Sequence, residues 1–270
     1  MAKIQSSFMD ISSLDLLSYR ETPIHRLDPR AKLLTTMAFV VAVVSFDKYA
    51  LVTLVPFVLY PVVIITVGNL PLGTLLKRML LAVPFAFFIG IFNPLFDRTV
   101  VMEVGSIGIS GGWISFASIM MRFSLTVSAA LILIATTGMN GICMGLEKMG
   151  APRLFVLQLL FLYRYLFVLT DEALRMSRAR SLRSFNEKGK EIGVFARMTG
   201  RLLMRTLDRA QRIHQAMLSR GFDGEIRLLR PLHFQPRDAV FVAGWTAFFV
   251  LSRIYDLPHL LGKGMLEFIA

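Results

Sequence analysis

Cysteine and charge are both scarce in this chain of 270 residues. Its one cysteine, Cys143, excludes an internal disulfide framework and argues against a thiolate metal site. Charged residues make up 18% of the chain and hydrophobic residues 55%, a balance typical of a protein that lies in a bilayer. A cleavable signal is also missing, because the segment 1–13 holds polar residues where an apolar core would be needed. We therefore expect the chain to enter the membrane through its own first span.

The sequence also lacks the motifs of common catalytic and metal sites. It contains no G-x-x-x-x-G-K-[ST] phosphate loop, so we do not expect it to bind and hydrolyse ATP by itself. Its histidines, His25, His214, His233 and His259, are scattered rather than paired at helix-face spacing. No Ser/His/Asp set and no paired carboxylates cluster near one apolar stretch. These absences predict a protein that is not an enzyme, holds no metal and needs no cofactor.

Apolar residues are bunched into runs that predict an all-α membrane protein with about five transmembrane helices. A hydrocarbon core needs about 20 residues of helix, so the first and last runs must borrow flanking residues. The runs cover residues 31–46, 49–67, about 79–96, 113–137 and 239–251. The loops at 47–48 and 105–112 are predicted to lie outside the cell.

The positive charge is concentrated in one segment, which predicts the orientation. Of the 30 Lys and Arg residues, 18 lie between Gly138 and Arg237, against eight acids. Because cytoplasmic segments retain Lys and Arg, this region and the N-terminus are predicted to lie inside the cell. The membrane is predicted to be a bacterial or archaeal cytoplasmic (inner) membrane. The predicted organisation is a four-span bundle over 1–137, a cytoplasmic region of coupling helices over 138–237, and a last span with its tail over 238–270.

Two long helices are predicted in the basic region. The first starts after Pro152 and runs to about Phe185, and the second runs from about Ile192 to Arg220. The second carries an arginine stripe, which suits either a partner protein or anionic lipid headgroups. A rival topology makes Leu154–Leu169 a further span, although it would place the following arginines outside the cell.

A repeated pattern with a period of 37 residues marks the two helices. Asp171, Ala173, Arg175, Ala179, Arg183 and Phe185 recur as Asp208, Ala210, Arg212, Ala216, Arg220 and Phe222. Four members of each copy are spaced by four residues, so they follow one helix face. Each copy ends in arginine, a small residue and phenylalanine, which suits docking into an acidic groove through a guanidinium and a ring. The alternative is that Arg183 and Arg220 only cap their own helices.

The segment His25–Lys32 opens the first predicted span with ordinary helix-start chemistry. Asp28 is expected to cap the helix and Pro29 to occupy its first turn. Arg30 and Lys32 are expected to extend to the lipid headgroups.

Together with the repeat, this segment resembles the transmembrane (T) component of energy-coupling factor (ECF) transporters, and most closely the CbiQ-type subunits of cobalt uptake systems. The residues that carry the resemblance are the stretch 25–32, Leu182-Arg183-Ser184 and Ser219-Arg220-Gly221-Phe222.

The resemblance implies a subunit that couples ATP hydrolysis by two ABC-type ATPase subunits to uptake through a separate substrate-binding membrane subunit, with lipid around it and no nucleic acid. It implies that Arg183 and Arg220, each within a short motif, contact the ATPases; these motifs are Leu182, Arg183, Ser184, Phe185 and Ser219, Arg220, Gly221, Phe222. Ser184 stands where the family usually has glycine, so Ala179-Arg180-Ser181 is a competing first motif. Cobalt is the favoured cargo, with nickel or a vitamin as alternatives. The rivals of another class are a membrane enzyme acting on a lipid or prenyl phosphate and an anchor that binds nucleic acid.

Overall fold

A computed structural model describes most of the chain. The described residues are 15, 17–48, 50–96, 100–104, 107–183, 192–224 and 234–255. Most of them are helical, which confirms the expected all-α membrane fold. They divide into two compact units, one within 146–224 and one formed by 15–145 with 234–255.

The larger unit contains helices α1 (Pro29–Val44), α2 (Leu59–Val67), α3 (Leu72–Gly90), α4 (Phe92–Phe96), α5 (Gly111–Lys148, whose last turn belongs to the smaller unit) and α8 (Pro236–Ile254). Val52–Val58 forms a 3-10 helix that precedes α2 and contains Pro56. Strands β1 (Val100–Val104) and β2 (Ile107–Ser110) pair as a short antiparallel hairpin, with Met102 opposite Ile109. Strand β2 lies within the loop predicted at 105–112 and β1 directly before it, and the sequence predicted no strand in either place. The smaller unit contains α6 (Arg153–Arg183) and α7 (Ile192–Ser219).

An aromatic cluster holds α1, α8 and the 3-10 helix together. The Phe39 ring lies 4.6 Å from Tyr60 and 5.4 Å from Phe249, measured between centroids. Phe57 stacks on Phe249 at 5.9 Å. Phe39 and Phe57 are fully buried, so this cluster is the centre of the larger unit's core.

The start of α1 confirms the predicted cap and corrects one expectation. The Asp28 carboxylate accepts a hydrogen bond from the Arg30 N–H at 2.9 Å, and Pro29 begins the helix. Lys32, however, is only 5% exposed, and its ammonium donates to the carbonyls of His25 at 3.2 Å and Thr136 at 2.9 Å. The prediction that Lys32 extends to the headgroups is therefore wrong, because backbone carbonyls within the protein satisfy its donors.

One carboxylate joins the N-termini of α1 and α8. Asp238 is 1% exposed and accepts from the Asp28 N–H at 3.0 Å and from the Gln235 N–H at 2.8 Å. Free N–H groups at helix starts need acceptors, and this one side chain supplies them to two helices that are distant in sequence.

Three of the described helical segments are long and apolar enough to cross a membrane: 72–94, 111–148 and 153–183. The first two match the third and fourth predicted spans. The backbone of α5 leaves helical geometry at Gly138 (φ 68°, ψ 160°), directly after the predicted end of the fourth span at Thr137. The third apolar segment, 153–183, contains the rival span Leu154–Leu169, so its length and composition keep that alternative open. The count of five spans, the three-segment organisation and the inward N-terminus stay predictions.

Candidate functional site

Helices α6 and α7 carry both copies of the repeat on exposed surface. Every residue of the two four-residue stripes is exposed: Asp171, Arg175, Ala179 and Arg183 on α6, and Asp208, Arg212, Ala216 and Arg220 on and directly after α7. The helical spacing inferred from the sequence therefore places two similar stripes on surface that the described part of the chain leaves uncovered.

Helix α7 ends in a Schellman turn, which fixes the backbone conformation of the second motif. The Phe222 N–H donates to the Met217 carbonyl at 3.1 Å, and the Gly221 N–H donates to the Leu218 carbonyl at 3.0 Å. Gly221 has φ 75°, the left-handed conformation that this turn requires and that glycine adopts without steric cost. Arg220 is the last residue before that turn, so its position is determined by the helix end.

Arg220 and Arg183 are both exposed, and neither makes an ion pair with any residue that the structure describes. Leu182, beside Arg183, is 81% exposed. Ser219 is exposed and its hydroxyl donates to the Gln215 carbonyl at 3.0 Å. Both arginines are thus available to a partner. Ser184 and Phe185 of the first motif lie outside the described residues.

The competing first motif has a less accessible arginine. Arg180 is half-buried, and its guanidinium points toward the Met198 sulfur of α7 at 3.9 Å. Ala179 and Ser181 are exposed, and the Ser181 hydroxyl donates to the Arg178 carbonyl at 2.8 Å. Exposure favours Arg183 over Arg180, in line with the alignment of the repeat, and both assignments stay predictions.

Phe222 contacts its own subunit. The half-buried ring lines an apolar groove of about 790 Å³ between α6 and α7, together with Met217 and Ile213. A hydrophobic contact between the residues at the positions of Phe222 and Met217 commonly accompanies a Schellman turn. In this structure Phe222 therefore stabilises the helix end, whereas the sequence predicted a docking anchor, and that role stays a prediction.

Sequence reasoning missed an ion pair between the two helices. The Arg205 guanidinium donates to the Glu172 carboxylate, and Arg175 lies 4.0 Å from the same carboxylate. The acidic pair Asp171-Glu172 was visible in the sequence, but which carboxylate faces α7 depends on how the helices pack. Glu172 is the less exposed of the two.

Among the residues that the structure describes, no three His, Cys, Asp or Glu side chains lie close enough together to hold a metal ion. Of the four histidines, His25 and His214 are described, and His214 is exposed along the apolar groove. Cys143 is a buried free thiol.

The described chain contains apolar helices long enough to span a membrane and a basic helical pair, and comparison with known proteins identifies the class as a membrane transport component. Residues 20–229 match the model of the CbiQ family of cobalt transport proteins. The chain belongs to the CbiQ cobalt transport protein family. The resemblance inferred from the motifs is thereby confirmed.

Three relatives illustrate the breadth of the similarity. The chain is 29% identical over 232 residues to an uncharacterized protein of Methanocaldococcus jannaschii, covering 81% of this chain and 78% of that one. It is 28% identical over 134 residues to the cobalt transport protein CbiQ of Rhodobacter capsulatus, covering 48% of this chain and 55% of that one. It is 27% identical over 241 residues to the energy-coupling factor transporter transmembrane protein EcfT of Listeria innocua, covering 77% of this chain and 85% of that one. The chain is accordingly similar to transmembrane components of ECF-type transporters.

Proposed function

We propose that this chain is the transmembrane coupling subunit of an ECF-type importer in the cytoplasmic membrane. It links ATP hydrolysis by two partner ATPases to uptake of a transition-metal ion that a separate membrane subunit captures. The chain itself binds no ATP and performs no catalysis. The observation that carries the proposal is the pair of similar exposed stripes on α6 and α7, which offers two similar contacts to two similar partners.

The mechanism rests on the positions of the two arginines. An exposed guanidinium forms bidentate hydrogen bonds with a carboxylate, so Arg183 and Arg220 each hold an acidic cleft on one ATPase. When ATP binding and hydrolysis change the spacing of the two ATPases, the helices that carry these arginines move with them. The membrane partner then receives that movement through the same subunit.

Cobalt is the cargo that we propose, since the family model and the relative from Rhodobacter capsulatus both carry cobalt transport in their names. Nickel and a vitamin are the alternatives. Uptake of radiolabelled cobalt and of nickel by cells that express the complete transporter distinguishes them, and uptake of neither metal would refute a metal cargo.

The ATPase contact is tested by co-purification. The full complex is expressed with Arg183→Ala, Arg220→Ala or both, and each single change is expected to weaken ATPase binding by about 2 kcal/mol, roughly 30-fold. Arg209→Ala is the matched control, because Arg209 is an exposed arginine of α7 that is not a member of the repeated pattern. Arg180→Ala tests the competing motif. Wild-type amounts of ATPase on a correctly inserted double variant would refute the proposal.

A further inference from the structure

A strongly basic cleft of about 760 Å³ lies between the C-terminal half of α6 and the N-terminal half of α7. Six arginines line it: Arg175, Arg180, Arg183, Arg197, Arg201 and Arg205. Glu172 is the one carboxylate among the described residues that line it. The cleft therefore carries a large excess of positive charge.

Most of these guanidinium groups lack a carboxylate partner among the residues that the structure describes. Glu172 accepts from Arg205 and lies 4.0 Å from Arg175, so it serves at most two of the six. Arg197 donates to the Gly193 carbonyl of its own helix at 3.2 Å. Within the described ranges, Arg183 and Arg201 make no ion pair. An anion would supply the acceptors that these donors lack.

The same two helices form the apolar groove on the other side of the Glu172–Arg205 contact. The groove is lined mainly by Leu157, Phe161, Tyr165, Val168, Ile213 and Met217. A smaller cavity of about 540 Å³ shares Glu172 and Arg205 with the basic cleft, and Leu169 and Thr206 with the groove. The surface along the helix pair α6–α7 is thus apolar at the groove and basic at the cleft.

The described residues leave the apolar part of this surface uncovered. Helix α6 is long and apolar enough to span a membrane, yet only 6% of its most apolar stretch is buried. Beside the basic cleft, Ile192 is 86% exposed and Phe195 is 67% exposed. Apolar side chains next to arginines are typical of helices that lie at the surface of a bilayer.

We propose that the pair α6–α7 binds an anionic phospholipid. Its phosphate lies in the basic cleft, where the guanidinium groups of Arg197 and Arg201 bind phosphate oxygens, and its acyl chains follow the apolar groove. A soluble anion would match the charge of the cleft but would leave the groove uncovered. This inference goes beyond the coupling function and does not depend on any ATPase.

The test uses the full-length subunit, purified in mild detergent without partners. Phosphatidylglycerol and phosphatidylcholine are titrated separately, and bound lipid is counted by native mass spectrometry. Phosphatidylglycerol is expected to bind more tightly than phosphatidylcholine. In Arg197→Gln/Arg201→Gln its affinity should fall about 25-fold, at about fivefold per arginine.

Two further variants serve as controls. Arg26→Gln/Arg237→Gln removes the same charge from exposed positions of the larger unit and should leave lipid binding unchanged. Arg197→Lys/Arg201→Lys keeps the charge and should retain most of the affinity, which separates loss of charge from misfolding.

Four results would overturn the inference. The first is equal binding of the two lipids to the wild-type protein. The second is an equal loss of affinity in the control pair. The third is displacement of the lipid by millimolar inorganic phosphate, which would mean that the site takes a free anion. If purified ATPases displace the lipid completely, the cleft belongs to a protein partner instead. Because the primary measurement contains no ATPase, its failure would leave the proposed coupling function standing.

Discussion

Gly221→Ala should loosen the end of α7 by a predictable amount. A Cβ built on Gly221 meets no atom within 4 Å, so packing contributes nothing to the effect. The cost comes from the left-handed backbone at φ 75°, which an L-residue adopts at a penalty of about 1–2 kcal/mol. Because the Schellman turn uses the N–H groups of Gly221 and Phe222, both hydrogen bonds should open more often.

Hydrogen exchange of the peptide that spans 213–224 measures this opening. A loss of about 1–2 kcal/mol corresponds to exchange roughly 5–30 times faster. Gly200→Ala is the matched control, since Gly200 lies inside α7 and a Cβ there also meets nothing within 4 Å. That change should stabilise the helix by about 0.5–1 kcal/mol. Unchanged exchange in Gly221→Ala, or destabilisation of equal size in Gly200→Ala, would refute the assignment of the turn.

Two further predictions concern the larger unit. Burial, followed by the charge of Lys32, lowers the pKa of His25 from its usual 6.5. The folded state therefore binds fewer protons than the unfolded state, and thermal stability in detergent should fall from about pH 7 to pH 5, but less so in His25→Gln. Phe39→Ala should lower the free energy of unfolding by about 3–5 kcal/mol, because it removes the centre of the aromatic cluster. Val41→Ala, which changes a residue 67% exposed on the same helix, should cost far less, and similar losses from both would contradict the proposed core.

The predictions from sequence that held depend on local chemistry. Asp28 and Pro29 specify a helix start by themselves, and apolar runs specify helices without knowledge of their neighbours. The prediction for Lys32 was wrong because its ammonium also donates to the carbonyl of Thr136, 104 positions away on α5, and not only to the nearby His25 carbonyl. The hairpin of β1 and β2 was missed because Val100–Ser110 contains short apolar pieces separated by glycine, a pattern that a loop also shows.

For the candidate site, the sequence predicted the stripes but not how the helices meet. Spacing by four residues was sufficient to place the members of each copy on one face. Glu172 and Arg205 are 33 positions apart, and only the packing of α6 against α7 brings them together. The direction of the Phe222 ring likewise depends on a groove that exists only when both helices are present.

Phe222 takes part in two features. Its ring lines the groove, and its backbone N–H makes a hydrogen bond of the turn that follows Arg220. A molecule that enters or leaves the groove should therefore shift Phe222, and with it the turn that positions the Arg220 guanidinium. If the proposed ATPase contact is made by Arg220, purification in a different detergent should change the strength of ATPase binding, even though no residue of the contact had been altered.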